Sequence, residues 1–212
     1  MPHKTEAFFY YDIISPFTYL FFKRRAPLAE RLQLIPRSIF FPGLLRLQDN
    51  RGPAEVAEKR VHTYDFCIWS AKKYKIPMKF PTRHPFPSVA AQRLFLQERA
   101  DWAMLDKAFD FVWAQGRDPD AEWPDFCAAM GLPRETARPD STEIKHRLTQ
   151  ETEAAAQQGV FGVPTVILNH RVFWGCDSIE WILDYLDDPG MFEQPEFQQL
   201  RAIENPLQGS LY

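Results

Sequence analysis

Four short stretches hold the residues whose types and spacing could do chemistry. The apolar run Phe8-Phe9-Tyr10-Tyr11-Asp12-Ile13-Ile14 ends at Ser15-Pro16, after which Phe17, Leu20 and Phe21 recur at helical spacing. Ser15 therefore reads as an N-cap with proline at the first helical position. Its hydroxyl either caps the helix and does nothing more, or also donates a hydrogen bond to an anionic atom held at the positive helix end. The stretch Gly159-Val160-Phe161-Gly162-Val163-Pro164-Thr165 sets a proline at the mouth of a strand, behind a glycine-rich turn. Such a bond is trans roughly nineteen times in twenty, whereas a cis bond would leave the Val163 N–H and C=O to pair with an extended peptide. Gly175-Cys176-Asp177-Ser178 ends a later strand and brings a carboxylate to the start of a helix, and the stretch from Asn50 to Lys59 offers an amide and a cation.

Positioning these groups requires a sheet with helices packed on it. Glu6 to Tyr11 is apolar and aromatic with little alternation, as in a strand buried on both faces. A helix from Ser15 to about Arg31 and a strand from Leu34 to Phe40 complete a β-α-β unit, for which a parallel pair is favoured. From Pro42 to about Pro139 the pattern predicts helices only: one after Pro53 with Ala57, Val61, Tyr64, Ile68 and Ala71 on one face and Lys59 off it, then Ser88 to Ala100, Asp101 to Gln115 and Trp123 to Met130. Pro77, Pro81, Pro85 and Pro87 make Ile76 to Pro87 a loop. A helix from Ser141 to Gln158, strands Thr165 to Leu168 and Val172 to Trp174 about a turn at Asn169-His170, and a helix bearing Ile179, Ile182, Leu183 and Leu186 follow. The tail beyond Pro189 supports no assignment.

At 212 residues and 45% hydrophobic, the chain can fill a sizeable core. A net charge of -3 gives no footprint for nucleic acid or for an anionic membrane, and no apolar run reaches the roughly 20 residues of a bilayer span. Met1 to Glu6 lead into a strand and not into a signal peptide, so the cytoplasm is the expected address. Cys67, Cys127 and Cys176 lie far apart, with neither C-x-x-C nor metal-ligand spacing, which argues against a disulfide framework and a zinc site. Cys67 and Cys127 sit in helical patterns and read as small buried hydrophobes. His62 and His146 read as structural. Arg37, Arg46, Arg83, His84 and Arg93 flank the aromatic, proline-rich segment; each is an ordinary surface residue or a contact for a substrate carboxylate.

Strand, Ser-Pro, helix, strand, helical insert, G-V-F-G-V-P-T and F-W-G-C-D-S, in that order, resemble the family of kappa-class glutathione transferases and bacterial 2-hydroxychromene-2-carboxylate isomerases. The resemblance spans about Phe8 to Leu186. It implies an α/β protein with a thioredoxin-like fold (β-α-β, helical insertion, α-β-β-α), with residues 1–42 and 140–212 forming the thioredoxin-like domain and 43–139 the inserted helical one. It also implies glutathione as cofactor, a small-molecule substrate, no nucleic acid or membrane partner, and a homodimer. Ser15, standing where thioredoxin-type folds have a redox cysteine, would be the catalytic residue, its hydroxyl donating to the glutathione sulfur. Lowering a thiol pKa from about 8.5 to about 6.5 needs roughly 2.7 kcal/mol of preference for the thiolate. By the same resemblance Val163 and Pro164 would pair with the cysteinyl backbone, Asp177 and Ser178 would meet the γ-glutamyl end, and Asn50 and Lys59 would hold the glycine carboxylate. Two positions depart from the family. Cys176 replaces the usual serine or glutamine, and is either a thiol near the bound one or a buried bystander; Ser178 replaces an arginine. The expected reaction is a glutathione-dependent isomerisation, with a kappa-like transferase or peroxidase and a non-catalytic peptide-binding module as the alternatives.

Overall fold

The apolar run before Ser15 forms strand β1, Thr5–Tyr11, and its lack of alternation has a direct cause. Ala7, Phe9 and Tyr11 enter the main core, while Phe8 and Tyr10 pack into a second cluster on the opposite face. The computed structural model describes residues 4–200 and 202–204. β2 (Leu32–Ser38) runs parallel to β1, β3 (Thr165–Leu168) antiparallel to β1, and β4 (Arg171–Trp174) antiparallel to β3, in the spatial order β2-β1-β3-β4. This is the expected α/β thioredoxin-like arrangement. β2 starts two residues earlier than its pattern suggests, and its Pro36 is tolerated because β2 is an edge strand.

The single helix expected from Ser15 to Arg31 is two, α1 (Pro16–Arg24) and α2 (Ala26–Arg31), because Pro27 has no N–H to continue the first. α3 (Phe41–Leu47), α4 (Ala57–Lys73), α5 (Val89–Gln97), α6 (Trp102–Phe109) and α7 (Trp123–Ala129) follow, and no strand interrupts them among the described residues. α6 runs on into a π-helical turn, Asp110–Ala114. α8 (Thr142–Gln157) leads back to the sheet, and α9 (Ser178–Asp187) closes it. The tail left without assignment carries α10 (Pro195–Leu200); residues 205–212 lie outside the described residues.

One apolar face expected on α4 differs from the structure. Val61 is 59% exposed, and the buried side chains are Cys67, Ser70 and Ala71. α4 meets α1 through its second half, where the Phe66 and Phe17 rings lie 5.9 Å apart, so the apolar residues of its first turns face outward. The main core is continuous across sheet and helices: Phe9 stacks on Phe21 at 5.1 Å, Phe22 on Phe109 at 4.9 Å, and Tyr11 packs against Phe95 at 6.0 Å. Each such buried ring contributes about 1.5–3 kcal/mol.

Candidate active site

Ser15 caps α1 as its sequence suggests. Its Oγ accepts from the Thr18 N–H and donates to the Val163 carbonyl, both at 3.2 Å. No acidic residue occupies the first turn of α1, so the helix end keeps its positive character. Three residues on, where a dithiol motif would place its second cysteine, stands Thr18, whose Oγ1 is buried without a hydrogen-bond partner among the described residues.

The turn that delivers Ser15 is held by the helices that follow β2. The Ile13 N–H donates to Gln92 Oε1 (3.2 Å) and its carbonyl accepts from Trp113 Nε1 (2.8 Å). The Ile14 carbonyl accepts from His84 Nε2 (2.8 Å), and the Ser15 N–H closes back on the Asp12 carbonyl (3.1 Å). Gln92 is fully buried and spends its amide hydrogens on the Tyr11 carbonyl, the Ile39 carbonyl and Ser38 Oγ. Since a carbonyl only accepts, His84 carries its proton on Nε2, and Nδ1 accepts from the Tyr64 hydroxyl at 2.6 Å. Burial lowers the His84 pKa, against the pull of the Ile14 carbonyl, and keeps the ring neutral at neutral pH. Asp12 is buried as a carboxylate with three donors: the Ile14 N–H (3.0 Å), the Phe41 N–H (2.9 Å) and Ser88 Oγ (3.0 Å). Burial outweighs these donors and pushes its pKa up to about 6.

The second wall is the loop before β3. Val163-Pro164 is cis, as is His84-Pro85. Val163 is buried, and its N–H has no acceptor among the described residues. Gly162 lies against the indole nitrogen of Trp174, which any Cβ at that position would strike. Trp174 also packs on Phe161, ring centroids 5.1 Å apart, and both rings are about half exposed. At the head of α9, Gly175 adopts φ +104° and lets the Asp177 carboxylate fold over it. Asp177 is exposed, whereas Ser178 is buried with its hydroxyl donated to the Gly175 carbonyl (2.8 Å).

The other sequence candidates fall in different places. Lys59 is exposed in the first turn of α4 and has no ion pair among the described residues, and Asn50 is exposed with its Oδ1 accepting from the Arg51 N–H (2.8 Å). Arg83 is bound to Asp118 (2.7 Å) and Asp120 (2.9 Å), which raise its pKa, and Arg93 pairs with Asp140 at 3.3 Å. Arg37 lies on the outer strand β2. Of these arginine and histidine candidates, His84 is the one with a hydrogen bond to the Ser15 turn. Cys176 is buried, and burial together with the Asp177 charge pushes its thiol up to about 12, leaving it protonated and a poor nucleophile.

Fold and site together define a DsbA-like thioredoxin domain, whose family model matches residues 8–187. The 2-hydroxychromene-2-carboxylate isomerase of Sphingobium xenophagum is 32% identical over 193 residues, covering 85% of this chain and 97% of that one. Glutathione S-transferase kappa 2 of Caenorhabditis elegans is 23% identical, covering 89% and 95%. A solved 2-hydroxychromene-2-carboxylate isomerase structure superposes with a TM-score of 0.75 at 25% identity, over 89% of this chain and 97% of its own. Within the thioredoxin-like proteins, the chain belongs to the enzyme family of 2-hydroxychromene-2-carboxylate isomerases and kappa-class glutathione transferases.

Proposed function

We propose that the protein is a glutathione-dependent isomerase of the 2-hydroxychromene-2-carboxylate isomerase type, with residues 43–139 as a helical insertion in a thioredoxin-like domain. The observation that carries this reading is the Ser15 hydroxyl at the head of α1, bonded to the Val163 carbonyl beside an N–H that no described residue takes. The residues fit glutathione in chemistry. Val163 offers a backbone donor and acceptor to a peptide, Lys59 a cation with no ion pair among the described residues to a carboxylate, and Asp177 an exposed carboxylate to an ammonium. Bound there, glutathione would supply a thiolate nucleophile for the reversible isomerisation of an unsaturated aromatic keto acid. Ser15 has one proton to give, so turning it to the sulfur releases the Val163 carbonyl for the ligand backbone. The positive end of α1 and the Thr18 N–H hold the hydroxyl oxygen while its proton is used. Ser178, its hydroxyl committed to Gly175, lends the γ-glutamyl end a buried backbone and no side-chain donor. The family relation further implies a homodimer in the cytoplasm.

Turnover of 2-hydroxychromene-2-carboxylate, followed with and without glutathione in wild type and Ser15→Ala, tests the reading. Isomerisation is expected only with glutathione, with a loss of tenfold or more in kcat/KM for the variant. Wild-type rates in Ser15→Ala would reduce the residue to a helix cap. Accumulation of a thioether product in place of the isomer would favour the transferase reading.

A further inference from the structure

The outer edge of β2 borders a cavity of about 190 Å3. It lies on the far flank of β1 from the Ser15–Val163 contact, because β2 and β3 adjoin β1 on opposite sides. Its lining includes Arg37 and Ser38 from the end of β2, Arg99 just beyond α5, and Arg147 and Glu151 one turn apart on α8, with Tyr11 beneath. Three arginines and one glutamate therefore line one small space.

Most arginines of the protein hold a carboxylate within ion-pair distance, as Arg25 does Asp106, Arg31 Asp187 and Arg171 Glu193. Among the described residues Arg37, Arg46, Arg51, Arg60, Arg99 and Arg147 do not; of these, Arg37, Arg99 and Arg147 line this cavity, and Arg147 stays unpaired with Glu151 despite their spacing of four. Arg147 gives one N–H to the Leu96 carbonyl (3.2 Å), and Arg37 lies 5.0 Å from the Phe8 ring centroid. The Arg99 side chain is exposed and has no polar partner among the described residues, its backbone N–H alone bonding the Leu96 carbonyl. Three positive charges against the one carboxylate of Glu151 leave a surplus of like charge, and a bound anion relieves that repulsion. Guanidinium forks take carboxylate or phosphate oxygens in pairs. The cavity is smaller than the roughly 300–1,000 Å3 of sites for drug-sized molecules, which restricts the ligand to a small one.

We propose that this cavity is a binding site for a small dianion bearing phosphate or paired carboxylate oxygens, separate from the Ser15 site. Calorimetric titration with inorganic phosphate and, separately, with succinate tests it, each against sodium chloride at equal ionic strength. Saturable binding of at least one anion is expected, and which one binds identifies the oxygen source. Arg99→Gln should weaken it about tenfold, the size of one lost charge-assisted hydrogen bond. Glu151→Gln should tighten it several-fold by removing the carboxylate that competes for the same guanidiniums. Because Arg99 holds no other polar group, Arg99→Gln should keep the wild-type Tm. No binding of either anion beyond the chloride control, or binding that Arg99→Gln leaves unchanged, overturns the proposal.

Discussion

Asp12 sets the electrostatics of the Ser15 turn, and its chemistry was the least legible part of the site. An aspartate after a strand reads as a turn former, and nothing in the sequence distinguishes an exposed turn carboxylate from one that is fully buried with three donors. Ser15 was legible because its neighbours are: a strand-like run, then proline, then helical spacing. Burial of Asp12 has a measurable consequence. A carboxyl whose folded pKa of about 6 stands above the ordinary 3.8 binds its proton more tightly in the folded state. Stability from this group is therefore present at low pH and is lost as pH rises from about 4 to about 6, by up to about 3 kcal/mol. Asp118, Asp125 and Asp140 have lowered pKa values and act with the opposite sign at more acid pH. Urea unfolding of wild type and Asp12→Asn between pH 4 and 7 separates the effects: the wild type's advantage should shrink as pH rises. A difference constant across that range would mean that Asp12 keeps an ordinary pKa.

At the scale of elements, the sequence located nearly every helix and strand but not which face of each does the work. Periodicity on α4 selected Val61, which the structure exposes, because an apolar stripe reports burial only where a neighbour covers it. Gln92 was passed over for a related reason. A glutamine on α5 has no sequence signal for burial, yet it joins the ends of β1 and β2 through four hydrogen bonds. Arg83 and Arg93 were picked for their charge, and their carboxylate partners Asp118 and Asp140 lie far along the chain. Gln92→Leu keeps most of the volume and strands the Ile39 carbonyl and the Ile13 N–H, while the Tyr11 carbonyl keeps its bond from the Ile39 N–H. At about 1–3 kcal/mol for each of these two buried unsatisfied groups, the loss should exceed about 2 kcal/mol. Chemical unfolding measures it, and a loss under 1 kcal/mol would show that water replaces the amide.

For the whole molecule, one apolar cluster includes Phe9 and Phe173 from the sheet together with Phe95, Phe111 and Phe126 from the helices between. Unfolding should therefore be a single transition, coincident by tryptophan fluorescence and by far-ultraviolet circular dichroism. Two separated transitions would give the helical stretch a core of its own. The order of elements was readable because each strand and helix follows a local pattern, whereas the shared core depends on contacts between residues about a hundred apart, as in the bond from Trp113 to Ile13. That bond and its companions from His84, Ser88 and Gln92 carry a consequence for how such proteins diversify. The helical stretch cannot be exchanged between relatives as a free cassette, since a transplanted one lacking those four side chains would leave the serine-bearing turn without its mould. Any rebuilding of the helical stretch in this protein must keep that quartet in place.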